Sequence, residues 1–356
     1  MNKTLPTMLL IFLALAGQAQ SADTTVKFGF CAKTITSAAA PFAIATKMGW
    51  YSAGGIKVQL VPVAGSTDCV RLVATGDLPY SLPSIEPLPT VIQQGVKAKI
   101  FYTAYQGNIY GVAVPKQSPI RSIRDLKGKK IGVASMASGG VPVARGLLAM
   151  NGLDPEKDAQ LVVVGEGAQA AALLRSEQVA ALSIYDTQYA LIESAGVPVR
   201  LLDSGPVARF PSNGFLALER NLKSDRAQAV TLAKGYAMGT VFAIANPEAA
   251  VKILYEVYPQ TKPSGKSEEQ GLRDDVKTLL ARAEHWRLEA GGVKRWGESS
   301  IKDFDAYLDF LLKWKVISAK VPVTEMLTND LIDEINRFDP AKIAADAKTY
   351  RYVEPR

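Results

Sequence analysis

One histidine and two cysteines are all the imidazole and thiol groups that this chain of 356 residues offers. A single histidine in a polar helical region and two cysteines that could pair support neither a Ser-His-Asp triad nor a His/Cys zinc site, so no catalytic or metal site is expected. His285 itself sits in a polar helical pattern and reads as a surface or packing residue. After the first residues, no stretch approaches the roughly 20 uninterrupted apolar residues of a membrane span. A long basic block is also missing, as is any interleaving of basic and aromatic residues, although the formal net charge is +7. The scattered excess argues against a nucleic-acid partner and suits solubility or an anionic membrane face. At 48% hydrophobic residues the chain can build a full core, which argues against intrinsic disorder.

The N-terminus carries Lys3, a short apolar run over 8–16, and then the small and polar Gly17-Gln18-Ala19-Gln20-Ser21. This order predicts a signal peptide over 1–21 and a mature protein outside the cytoplasm. About 335 residues then remain, enough for two lobes by the usual size of a domain.

The most informative stretch is 119–140, Pro-Ile-Arg-Ser-Ile-Arg-Asp-Leu-Lys-Gly-Lys-Lys-Ile-Gly-Val-Ala-Ser-Met-Ala-Ser-Gly-Gly. A basic turn, a short apolar run, a loop of small residues and a helical pattern from Val143 form the half-unit of an α/β sheet. Such a unit places backbone N–H groups at the carboxyl end of a strand, where ligands bind. The block holds no nucleotide fingerprint, and no cofactor is expected. Similar alternation runs through the first half, with strands at 26–30, 57–63, 79–82 and 97–104 and helices between them. A strand at 109–114 could cross into a second lobe holding strands at 131–134, 160–164, 180–183 and 199–202. A strand at 214–218 could return, and the chain beyond Ala227 is mostly helical. The expected lobes are therefore 22–108 with 214–356, and 109–213, with a ligand cleft between them.

Cys31 ends the first apolar run and Cys69 follows the second. If those strands are parallel neighbours, both thiols lie at one end of the sheet and could pair. The bond would close a loop of about 38 residues, worth roughly 3–4 kcal/mol in the chain-entropy view.

Several motifs resemble one family. Phe42-Ala43-Ile44-Ala45, Gly49-Trp50-Tyr51 and Gly54-Gly55-Ile56 are similar to the opening of periplasmic solute-binding proteins of ABC importers in the nitrate, sulfonate, taurine and thiamine-pyrimidine (NMT1/THI5-like) group. Leu72-Val73-Ala74-Thr75-Gly76-Asp77, the Ser122-to-Ile131 segment, and Thr328-Asn329 with Asn336-Arg337-Phe338-Asp339 resemble later motifs of that group. The resemblance covers nearly the whole mature chain. It implies an α/β, two-lobed, type II-like binding protein with two crossing strands and a helical tail. It further implies hinge closure on a small organic solute and delivery to the transmembrane subunits of an ABC permease, by a monomer that is not an enzyme. Oxyanion-binding relatives often carry a Gly-Ser pair in the loop that here reads Ser135-Met136-Ala137-Ser138-Gly139-Gly140, a departure that speaks against a sulfonate or nitrate ligand.

Candidate ligand contacts fall at strand ends. Thr34, Thr36 and Ser37 follow the first strand; Ser66 and Thr67 follow the second; Ser84 and Glu86 follow the third. Ser135, Ser138, Gly139 and Gly140 line the opposite lobe, with Glu166, Tyr185 and Asp186 after its later strands. Tyr105 and Asn213 flank the crossings, where Tyr102, Tyr110 and Phe210 could stack on a ring or simply pack. Each polar position has an ordinary alternative as a helix cap or a solvated loop. If two of the acids face the cleft, the ligand should be cationic or rich in N–H groups. An enzyme reading stays open beside transport: a lyase or pyrimidine-forming activity using Glu86 or Glu166. A membrane-associated ligand sensor is a third.

Overall fold

The computed structural model describes residues 23–353, so the expected signal peptide lies outside the described residues. Strands β1 (Thr24–Phe30), β2 (Ile56–Pro62), β3 (Tyr80–Ser81) and β4 (Ala98–Thr103) form one sheet. Strands β5 (Tyr110–Pro115), β6 (Lys129–Val133), β7 (Ala159–Val163), β8 (Ala181–Tyr185) and β9 (Val199–Leu201) form a second, and β10 (Gly214–Leu218) rejoins the first. The spatial orders are β2-β1-β3-β10-β4 and β7-β6-β8-β5-β9. The same plan thus occurs twice: parallel strands, with one antiparallel strand (β10 or β5) inserted next to the edge.

Sequence pattern follows position in the sheet. The edge strand β2 buries Ile56, Val58 and Leu60 and exposes Lys57 and Gln59. The inner strands β8 and β10 are buried along their whole length and read as apolar runs, broken in β8 by Ser183. β5 belongs wholly to the second sheet and β10 wholly to the first, so the chain passes between lobes through segments 104–109 and 202–213.

An aromatic cluster fills the first lobe. Phe215 of β10 lies 4.7 Å from Phe28 and 5.0 Å from Tyr236, and Phe42 lies 4.8 Å from Tyr236 (ring centroids). Tyr236 belongs to the long helix Arg226–Ala245, which packs on Ala40–Lys47. Gly239 permits that approach, because a Cβ there would sit 2.2 Å from the Pro41 carbonyl oxygen. The late motif has a structural role. Asn329 and Asn336 each form a donor-acceptor pair with backbone, at Ser299 and Trp296, and Asp339 caps the helix Pro340–Thr349. Helix Glu268–Trp286 packs on Asp186–Ser194 of the second lobe and on Pro247–Val257 of the first. Among the described residues, no helix is long and apolar enough to cross a membrane.

Candidate functional site

The carboxyl ends of β1, β3, β6 and β8 converge where the two lobes meet. The first of these ends is tethered, because Cys31 and Cys69 form a disulfide with Cα atoms 5.9 Å apart. The bond ties the loop after β1 to helix Ser66–Thr75, and Cys31 itself lines an interlobe cavity. That cavity is walled by Phe30, Ala32, Ala38, Leu82 and Ile109, by the rings of Tyr105, Tyr110 and Tyr185, and by Thr36, Thr187, Asn213 and Arg282. Its volume is about 30 Å³. Such a space holds a water but not an organic solute, so admission of a solute requires the lobes to part.

Hydrogen bonds hold the lobes together around this cavity. Glu166 accepts from the Thr34 hydroxyl at 2.7 Å, from the Lys33 N–H at 3.3 Å and from the Tyr185 hydroxyl at 3.0 Å. Gln188 extends the chain by donating to the Tyr185 oxygen at 3.2 Å. On another side, the Thr67 N–H donates to the Ala137 carbonyl at 3.1 Å and the Ser135 hydroxyl to the Ala64 carbonyl. Gly65 lies in this contact, where a Cβ would meet Ala137 carbonyl atoms at 2.5 Å. The Ser138 hydroxyl accepts from the Gly140 N–H, and Gly139 packs on Ser84 and Tyr110. Gly140 sits against the Ser183 backbone, and the Ser183 hydroxyl donates to its carbonyl.

Of the expected site residues, Thr36, Tyr105, Tyr185 and Asn213 line the cavity, and Thr34 and Glu166 join across the lobes. Ser135, Ser138, Gly139 and Thr67 lie in the contact between facing loops, while Gly140 packs within its own lobe on Ser183. Ser66 accepts from the Ser84 N–H, and Ser37 is buried beneath the loop after β1. Asn213 also holds the passage between lobes: its amide donates to the Leu82 carbonyl, and its own carbonyl accepts from the N–H groups of Ala104 and Tyr105.

Asp186 reaches the cavity through a residue that the sequence did not single out. Arg282, on Glu268–Trp286, donates to both Asp186 oxygens at 2.6 and 2.7 Å. Its guanidinium also stacks 4.1 Å from the Tyr105 ring centroid. A legible trace existed. Asp275 and Arg282 interrupt the buried stripe Leu279, Ala283 and Trp286 of one helix, and a charge in such a stripe needs a partner. His285 follows on the same helix, its Nε2 3.9 Å from Asp186 and its pKa lowered chiefly by burial. Thr187 was also missed. Its hydroxyl oxygen is buried without a hydrogen-bond partner and belongs to the cavity wall. Burial raises the phenol pKa of Tyr105, Tyr110 and Tyr185, so all three stay protonated at neutral pH.

Glu86 is buried and does not line the cavity. One of its oxygens accepts from the Tyr307 hydroxyl at 2.5 Å, while the other has no partner. Burial raises its pKa, and hydrogen bonding offsets this only in part. A raised folded-state value means that the protonated acid is favoured in the native protein. Its stabilising contribution is full below the unfolded value, about 4.3, and is lost as pH rises through the folded value. The stability of wild type relative to Glu86→Gln, from thermal melts between about pH 4 and 7, will therefore decline with rising pH. A gap that stays constant across that window would refute this.

Comparison with known proteins supplies context. A family model described as NMT1/THI5 like matches residues 36–250. The riboflavin-binding protein RibY of Chloroflexus aurantiacus is 21% identical over 297 residues, covering 82% of this chain and 82% of that protein. The periplasmic aliphatic sulphonate-binding protein SsuA of Escherichia coli superposes with a TM-score of 0.64 at 14% identity, covering 87% of this chain and 99% of SsuA. The periplasmic nitrate-binding protein NrtA of Synechocystis PCC 6803 gives a TM-score of 0.59 at 16% identity, covering 93% and 99%.

Proposed function

The chain belongs to the NMT1/THI5-like family and has the α/β fold of periplasmic binding proteins, and from that premise we propose that it is the solute-binding component of an ABC importer. The solute is a small organic molecule. Lobe 22–108 with 214–356 and lobe 109–213 close on it, and the complex delivers it, as a periplasmic monomer, to the transmembrane subunits of a permease. The observation that carries this reading is the cavity itself. It lies between the lobes at the carboxyl ends of strands from both sheets, and it is too small for a solute until the lobes move apart. Motion about the passages 104–109 and 202–213 would uncover Tyr105, Tyr110, Tyr185 and Thr187 to solvent and then enclose them.

Thermal-shift screening of the mature protein against amides, aromatic acids, sulfonates, amines and riboflavin tests the binding role. A ligand at 100 times its Kd adds about 2.7 kcal/mol of stability. X-ray scattering with and without each compound that raises Tm tests closure. The radius of gyration should fall on binding, and a bound protein that never contracts would remove the hinge mechanism.

A further inference from the structure

We propose that the cavity selects an uncharged, flat, hydrogen-bonding ring over an anion, and that Asp186 is the specificity-determining residue because it cancels the charge of Arg282. The inference rests on the solute-binding reading and gives it a ligand class.

Arg282 is the one cation among the residues that wall the cavity, and its charge is already spent. Its Nε and one terminal nitrogen are engaged by Asp186 in a two-point pair, and the two side chains are 3% and 8% exposed. Tyr105 covers the guanidinium face. The pair joins two helices that pack directly on each other, Asp186–Ser194 of one lobe and Glu268–Trp286 of the other, so the charge of Arg282 is cancelled in the closed form that encloses a solute. Asp186 is itself held, because its Oδ1 also accepts from the Thr187 N–H at 2.7 Å. The other ionisable groups nearby add no positive charge. Glu166 is an acid at the junction of the lobes, Glu86 lies outside the wall, and His285 is kept neutral by burial. The Lys33 side chain points into solvent, since the residue is exposed and joins Glu166 only through its backbone.

An anion enclosed here would lose its hydration and meet no uncompensated cation. An uncharged ring faces no such penalty. Phe30, Tyr105, Tyr110 and Tyr185 offer aromatic surface, and the unpartnered Thr187 hydroxyl can bond a carbonyl or ring nitrogen.

Compounds that share a ring and differ in an uncharged or anionic substituent test the proposal: benzamide, benzoate and benzenesulfonate, with nicotinamide, nicotinate and pyridine-3-sulfonate as a second set. Binding is measured by calorimetry and thermal shift on the full mature chain. Wild type should bind the amides at least about tenfold more tightly than their anions, a gap of about 1.4 kcal/mol. Asp186→Asn keeps the shape and frees the Arg282 charge, so it should reverse the preference by a further factor of about ten or more. Asp186→Asn combined with Arg282→Gln should return to amide preference. Wild type that binds an anion as tightly as its amide overturns the proposal even if Asp186→Asn does not fold. A folded Asp186→Asn with an unchanged ratio overturns the role of Asp186. If neither set binds at any charge, while another compound in the wider screen does bind, the ring inference fails and the solute-binding reading stands. If nothing in either screen binds, the solute-binding reading fails with it.

Discussion

Gly65→Ala will leave both lobes folded and cost the protein its closed form. Gly65 has φ of 153° and ψ of −178°, a region essentially reserved for glycine, so alanine adds local strain of about 1–3 kcal/mol. The larger effect acts between lobes. The new Cβ would lie 2.5 Å from the Ala137 carbonyl carbon and oxygen and 2.7 Å from the Ser138 nitrogen. These are backbone atoms of the opposite jaw and cannot swing away as a side chain could. Relief requires the jaws to separate, which breaks the Thr67-to-Ala137 hydrogen bond and the Ser135-to-Ala64 contact. Ligand affinity should fall by at least about tenfold, with a radius of gyration that no longer shrinks on addition of ligand. Gly55→Ala is the control. It also sits at positive φ, 71°, but no atom lies within 4 Å of its Cβ, so it carries strain without an interlobe clash and should close normally. A Gly65→Ala protein that binds and contracts like wild type would show that this contact does not govern closure.

Arg282→Met carries the largest expected loss of stability. It removes the partner of a carboxylate whose side chain is 8% exposed, and breaking a buried pair from one side costs about 3–5 kcal/mol. The cation stacked on Tyr105 disappears as well. Pairing Arg282→Met with Asp186→Leu removes the stranded charge and should recover most of the loss, since an apolar pair of similar volume is often neutral or better. Urea unfolding of wild type, both single variants and the double variant closes the cycle. If the double variant is as unstable as Arg282→Met alone, the loss comes from packing and not from the unpaired carboxylate.

Much of the architecture was legible because strands and helices are written in local periodicity. The apolar runs at 26–30, 57–63 and 160–164 became β1, β2 and β7 to within a residue or two. The glycines after 75, 151 and 195 mark the ends of their helices. The predicted short strand at 79–82 was reduced to β3, only Tyr80–Ser81, because it is pinched between β1 and β10 with a single paired residue on the β10 side. Around the late motif the mostly helical tail keeps only the short helix Ile332–Ile335, because Asn329 and Asn336 spend their side chains on the backbone of another loop. The site was less legible. Serines, threonines and acids at strand ends look alike in sequence whether they face a cavity, cap a helix or bond the opposite jaw. Ser135, Glu166 and Thr34 turned out to bond across the lobes, and Thr36 and Asn213 to wall the cavity.

The sequence by itself determined the α/β alternation, the family motifs and the end of the sheet where two cysteines could meet. Those properties depend on residues close together along the chain, or on the invariant geometry of parallel strands. Only the tertiary structure decided that Asp186 is neutralised by Arg282, 96 positions further on, and that three tyrosines and the unpartnered Thr187 hydroxyl share the wall. That pairing follows from how a tail helix lies across both lobes. No local pattern encodes this packing, because the free energy of burying a charge depends on the partner the fold brings to it.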